Sequence, residues 1–183
     1  RSHDAFLFKY TPNATNKIDV GFALNADSQS GINNLYSYSN VAGYKTFQYA
    51  WYHADFNNLG LSFLVLNTGI EYLNSSNNQT IDNMQTIGPR LTYKSGDFNA
   101  NASAYLQTGK SLNADVSASY FAGNISYNVS SNWNLGLGIE QLSGKDANAT
   151  NTDIKSFAPL FGTNHKFNGW MDYFYVGNHA NNV

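Results

Sequence analysis

The sequence predicts an all-β chain: a transmembrane, up-and-down antiparallel β-barrel with about eight or nine strands present, forming part of a larger barrel. Three observations carry this expectation. Apolar residues recur at every second position and helical periodicity is nearly absent, so side chains sort onto two faces. Only 12% of the 183 residues are charged, about half of the ~25% usual for a soluble domain. The segments between the runs alternate short and long, as in barrels whose two ends face different compartments.

The elements follow in chain order. A short first strand is expected at 5–10, closed by Thr11-Pro12-Asn13-Ala14-Thr15-Asn16. Ile18, Val20, Phe22, Leu24 and Ala26 then alternate with Asp19, Gly21, Ala23 and Asn25. A long connection at 27–42 leads to a strand over 43–54, whose Lys45, Phe47, Tyr49, Trp51 and His53 share one face. Asp55-Phe56-Asn57-Asn58 turns into 59–72, and 73–84 is a longer connection to 85–95. After Ser95-Gly96-Asp97, Phe98, Ala100, Ala102, Ala104 and Leu106 alternate with Asn99, Asn101, Ser103, Tyr105 and Gln107. A longer connection at 108–113 precedes 114–128, and Val129-Ser130-Ser131-Asn132 turns into Trp133, Leu135, Leu137 and Ile139, which alternate with Asn134, Gly136, Gly138 and Glu140. The region 144–183 is expected to contain a long external or barrel-mouth loop, within one barrel domain spanning 1–183.

Composition narrows the class. With 13 Tyr, 12 Phe and 3 Trp, disorder is excluded, since disordered chains are poor in aromatics. A formal net charge of −2 gives no basic field, so no nucleic-acid partner is expected. The absence of Cys removes disulfides, thiolate zinc sites and thiol nucleophiles together. No apolar run approaches 18 residues, which excludes a transmembrane helix but not membrane-spanning strands.

The faces place the charge deficit. One face of each run is almost free of charge, as lipid requires; the other is rich in Asn, Ser, Gly and Thr, as a water-filled lumen requires. Tyr10, Phe22, Phe47, Tyr49, Trp51, Tyr93, Phe98, Tyr127 and Trp133 stand near strand ends, where interfacial aromatic girdles belong. Asp19, Arg90, Lys94 and Glu140 are the candidate lumen-lining charges. Arg90 and Lys94 either attract anionic solutes or pair with Asp19 or Glu140 as interior salt bridges. The glycines of Leu135-Gly136-Leu137-Gly138 keep a passage open or serve strand packing.

The run Ser156-Phe157-Ala158-Pro159-Leu160-Phe161-Gly162-Thr163, followed by Lys166-Phe167-Asn168-Gly169-Trp170-Met171-Asp172-Tyr173-Phe174, resembles a segment of the alginate-export family of outer-membrane β-barrels, in its Bacteroidetes-like branch. The likeness covers residues 156–174; elsewhere it is one of strand style. It implies a many-stranded passive channel in the outer membrane of a diderm bacterium. The segment would then belong to an external loop or to the entry of a further strand. Phe157, Phe161, His165, Lys166, Phe167, Trp170, Asp172 and Tyr173 are the candidate mouth residues, as a constriction, a sugar-stacking surface or packing against the rim.

Other chemistry finds little footing. His3, His53, His165 and His179 lack metal-ligand spacing, so no metal is expected. No Gly-x-Ser-x-Gly elbow occurs, and no Ser–His pair stands out within one strand neighbourhood, so no catalytic residue and no cofactor is expected. Asp146 and Asp153 lack the regular spacing of a calcium loop. Asn-x-Ser/Thr sequons follow from 27 Asn, and two fall inside an expected strand. The expected partners are outer-membrane lipid, a small hydrophilic solute and other envelope proteins. The rival expectation is a structural or interaction barrel with a plugged lumen, subunit of an outer-membrane complex. An eight-stranded barrel could close alone, but the Asn-rich end at 178–183 is unlike the aromatic-ended strand that usually completes one, hence the larger barrel.

Overall fold

The computed structural model of the protein describes residues 4–25, 43–146 and 148–160. Eight strands form one antiparallel sheet in sequence order: β1 (Ala5–Tyr10), β2 (Asn16–Leu24), β3 (Thr46–Phe56), β4 (Leu59–Leu73), β5 (Gln79–Ser95), β6 (Phe98–Ser111), β7 (Ala114–Ser130) and β8 (Trp133–Leu142). No helix occurs among the described residues. All eight expected strands are present. The sheet is an open meander, with β1 and β8 as its edges.

Strand ends differ from expectation, and so do two connections. β5 begins at Gln79 and β6 runs to Ser111, so 73–84 shrinks to residues 74–78 and 108–113 to Leu112-Asn113. Both residues of that turn have positive φ, 51° and 66°, the geometry that matches the twist of a two-residue hairpin. The Asn113 amide also donates to Asp82 Oδ2 at 2.6 Å. The expected alternation of short and long connections therefore fails at β4–β5 and β6–β7. Polar residues that resembled loop in sequence are strand: Gln79, Asn83 and Thr108 are exposed at this end of the sheet and Asp82 is buried.

Register assigns the faces. Ala23, Phe47, Thr68 and Met84 are successive cross-strand partners, as are Gly109 and Val116 after them. Stepping by two along each strand puts Lys9, Asp19, His53, Ser62, Arg90, Lys94, Asn101, Asn124 and Glu140 on this same face. The opposite, apolar face carries almost every large exposed hydrophobic, Phe22, Phe63, Leu91, Ile125 and Leu137 among them; the exceptions are Leu7 and Leu112. Among the described strand residues its charged members are Glu71, Lys110 and Asp115, all far from the turns joining β1–β2, β3–β4, β5–β6 and β7–β8. Glu71 is paired with Lys45 at 3.5 Å and Lys110 with Asp115 at 3.7 Å.

The strands are staggered. One row of cross-strand neighbours starts at Tyr10, the last residue of β1, and passes Ile18, Tyr52, Phe63 and Pro89. It continues through Ala104 and Phe121 to Gln141, eight residues past the start of β8. That is roughly one residue per strand; at ~3.3 Å along and ~4.8 Å between strands, the tilt is about 35°. The β5–β6 ladder is interrupted beside Gly88 and Pro89, where proline has no N–H to give, and the β7–β8 ladder shifts register between Asn128 and Ser130. A Cβ on Gly88 would stand 1.9 Å from the Ala104 carbonyl oxygen, so the two backbones meet there.

The small core lies on the charged face, away from the short turns, and comprises Ala23, Tyr44, Phe47 and Leu66 with Tyr49, Leu64 and Leu160 against them. Burial first, and the Asp4 carboxylate second, raise the Tyr44 phenol above its usual pKa. Phe47, Tyr49 and Trp51 belong to this face, with Trp51 stacked on His53 at 5.4 Å. They are therefore not part of an aromatic girdle on the apolar face, as strand-end position suggested. Period two says only which residues share a face, and β3 carries aromatics on both.

Candidate functional site: the charged sheet face

The four candidate charges share a face but not a cluster. Lys9, the cross-strand partner of Asp19, holds it at 3.6 Å. Glu140 accepts a hydrogen bond from the Tyr120 hydroxyl at 2.9 Å. Arg90 stands opposite Ser62 on one side and Ser103 on the other, and Lys94 stands opposite Asn99. Among the described residues neither cation makes a salt bridge, and both are exposed. The interior pairing of Arg90 or Lys94 with Asp19 or Glu140 is thus not formed; the two acids have other partners.

Around the cations the face is a lattice of amides. Asn101 and Asn124 are cross-strand partners that donate to each other, at 2.5 and 3.0 Å, and Asn134 donates to Asn128 at 2.6 Å. Gly136 and Gly138 also belong to this face, level with Ser126 and Asn124. Amides that satisfy each other leave further donors and acceptors for water or a hydroxylated solute.

One cluster escaped the sequence reading. His53 and Ser62 are direct cross-strand partners. His53 Nδ1 lies 2.8 Å from Ser62 Oγ, and Nε2 lies 3.0 Å from Asp55 Oδ1. A Ser–His pair does exist in one strand neighbourhood. The signal was the turn at Asn57-Asn58, because a hairpin centred there places residue 53 opposite residue 62. The cluster lacks what acyl transfer needs. Ser62 is in mid-strand between two ladders, so the neighbouring backbone amides are committed to them and form no oxyanion hole.

Away from the short turns, the same face is covered. Ser143 extends β8, its amide donating to the Ser119 carbonyl at 2.8 Å. Ile154 makes a parallel bridge with Val116. Phe157 is buried and its ring lies 5.2 Å from that of Tyr120. Of the expected mouth residues, Phe157 therefore packs on β7. Phe161, His165, Lys166, Phe167, Trp170, Asp172 and Tyr173 lie outside the described residues.

The apolar face offers a shallow depression of about 570 Å³, floored by Ala100, Ala102 and Gly123 and walled by Leu91, Ile125 and Leu137. No titratable side chain but Tyr93 lines it, so it is no catalytic pocket. Among the described residues no group of three or more His, Asp or Glu could hold a metal ion. No protein-family model, no curated protein and no solved structure matches the chain. The resemblance of residues 156–174 thus stands on its motif words alone.

Proposed function

We propose that the chain belongs to an outer-membrane, porin-like barrel that passes small hydrophilic solutes by diffusion, anionic saccharides among them. One observation carries the reading: mid-strand charge is confined to one face, and the other is apolar from the short turns onward. On the apolar face the first polar row is Gln48, Asn67, Gln85, Thr108, Ser119 and Gln141. Below it the band runs eight to ten residues along each strand, which at ~3.3 Å per residue and about 35° tilt is roughly 22–27 Å. An outer-membrane barrel needs about 25 Å, with strands tilted by ~35–45°. Tyr10, Tyr93, Phe98, Tyr127 and Trp133 gather at the turn end of this band, the level of an interfacial girdle.

A soluble protein rarely exposes a contiguous apolar patch beyond a few hundred Å². On the opposite face, exposed Arg90 and Lys94 among amides suit a wet passage that favours anions, since pore-lining charge sets selectivity. The edges of β1 and β8 are intolerable in lipid, so further strands complete the barrel. The likeness of residues 156–174 to the alginate-export family supports a many-stranded outer-membrane barrel. A single Arg in the described strands is few for a constriction that conducts a polyanion.

Planar-bilayer recording of the reconstituted full-length protein tests the channel. Steady ohmic conductance with anion preference is the expected result; silence at every protein concentration would sink it. The covering of the charged face by residues 154–160 favours one second reading, a structural barrel with a plugged lumen. Silence together with co-purification of envelope partners at fixed stoichiometry would establish that instead.

A further inference from the structure

Residues 143–146 and 148–160 form a strap across the charged face, and one side chain fastens it. The strap leaves β8 at Ser143 and joins the edge of β7. The Ser117 amide donates to the Ile154 carbonyl at 2.9 Å, and the Ile154 amide to the Asp115 carbonyl at 2.8 Å. It then turns over the sheet. Gln107 of β6 holds Ala158 from both sides, its Nε2 donating to the Ala158 carbonyl at 2.8 Å and its Oε1 accepting from the Ala158 amide at 3.0 Å. The same Nε2 lies 3.2 Å from Thr86 Oγ1 on β5. Two residues on, Leu160 packs against the cluster of Ala23, Phe47 and Leu66 on β2, β3 and β4. Between Ile154 and Leu160 the chain has thus crossed from β7 to the far side of the sheet.

The effect shows within a single strand. On the charged face of β5, Asp82, Met84, Thr86 and Gly88 are buried, while Arg90, Thr92 and Lys94 are exposed. The boundary coincides with the strap. Gln107 itself is 2% exposed. A two-point hydrogen bond to a single backbone unit fixes position and orientation, and shielding from water makes each bond harder to replace.

We infer that Gln107 is a positioning residue that sets the size limit of the passage, by holding the strap as a fixed constriction away from the short turns. This rests on the channel reading and adds where the passage is narrowest and what keeps it narrow. The cations Arg90 and Lys94 lie outside the covered zone, so selection by charge and by size occupy different levels of the face.

The test uses the full chain in planar bilayers, with neutral polyethylene glycols of graded size as probes. Gln107→Ala removes both contacts. Ala158→Pro removes one donor from the strap and leaves the sheet untouched, in case the first variant fails to fold. The expected result is a severalfold rise in single-channel conductance and entry of larger polymers, with the anion preference unchanged. Trypsin should also cut faster at Lys155 in the strap. The chain has no cysteine, so Val116→Cys with Ile154→Cys can tie the strap to β7. In the Gln107→Ala background, oxidation should restore the small size limit, and reduction should release it. Conductance and polymer cut-off equal to wild type in both variants overturn the inference and leave the channel standing. Wild type silent with Gln107→Ala conducting overturns the inference, because the strap is then a plug and not a size limit. Silence of every variant, with unaltered cleavage at Lys155, overturns both.

Discussion

Tyr49 lies across Gly21. The two are cross-strand partners, and a Cβ built on Gly21 would stand 2.0 Å from Tyr49 Cε1 and 2.7 Å from Cζ. The ring fills the space a side chain would have taken, and glycine's lack of one lets β2 and β3 close. The same ring packs on the core beside Phe47, at 5.9 Å between centroids.

Gly21→Ala should therefore push the ring from its place and destabilise the sheet by about 1–3 kcal/mol, the usual cost of an overpacked site. Tyr49→Ala should cost as much or more by leaving the glycine backbone bare. In the double variant the alanine on Gly21 has nothing to strike, so its added effect should vanish. Urea unfolding in detergent micelles measures all three. Additive losses would show that the contact is not the reason for the glycine.

The apolar face makes a sharper demand. Ile125 and Ser126 are neighbours on β7, one on each face. Ile125→Arg places a guanidinium inside the apolar band, where it should cost about 2–4 kcal/mol of insertion free energy near the bilayer midplane. Ser126→Arg places it on the charged face beside Gly136, where water reaches it, and should cost far less. Folding yield into lipid vesicles compares the two. Equal tolerance would mean that the apolar face does not meet lipid.

How much of this was legible beforehand varies with the kind of signal. Period two located all eight strands, because alternating residues such as Phe98 to Leu106 have no other comfortable conformation. It also put Asp19, Arg90, Lys94 and Glu140 on one face, since each parity follows from the hairpin centres. Strand ends and loops were less legible. Leu112-Asn113 lacks the Asn-Gly of a strong hairpin turn, and a polar strand segment such as Gln79–Asn83 has the composition of a loop. Gln107 could not have been found: nothing local marks a side chain whose partner lies 51 residues on. Nor could Glu140's bond to Tyr120, which depends on a diagonal reach between β7 and β8.

Selectivity should follow the unpaired cations. Arg90 and Lys94 have no carboxylate partner among the described residues, whereas Lys9 is held by Asp19. Replacing both Arg90 and Lys94 by Gln should lower the chloride-to-potassium permeability ratio severalfold, with each single variant between. Lys9→Gln should move it less, because Lys9 and Asp19 already cancel at a distance. Reversal potentials under a salt gradient report the ratio. The differences should shrink from 0.1 M to 1 M salt, as the screening length falls from about 10 Å to 3 Å. Unchanged ratios would place the cations off the conduction path.

The Ser62–His53–Asp55 contacts invite the opposite class of function, and a covalent probe decides between them. A working serine nucleophile needs a base, and also donors aimed at the oxyanion, which alone supply roughly 10²–10³ in rate per donor. Here the base contact exists at 2.8 Å, but Ser62 sits in a central strand whose amides serve β3 and β5. Arg90, opposite Ser62, is exposed to solvent, where its field is weakened by water. The folded protein should therefore resist a fluorophosphonate probe at Ser62, with no adduct in tryptic mass spectra after hours of exposure. Ser62→Ala should leave conductance unchanged and cost about 1 kcal/mol, the worth of one ordinary hydrogen bond. Stoichiometric labelling of Ser62, abolished by His53→Ala, would make the chain a hydrolase, with the passage as the route to its site.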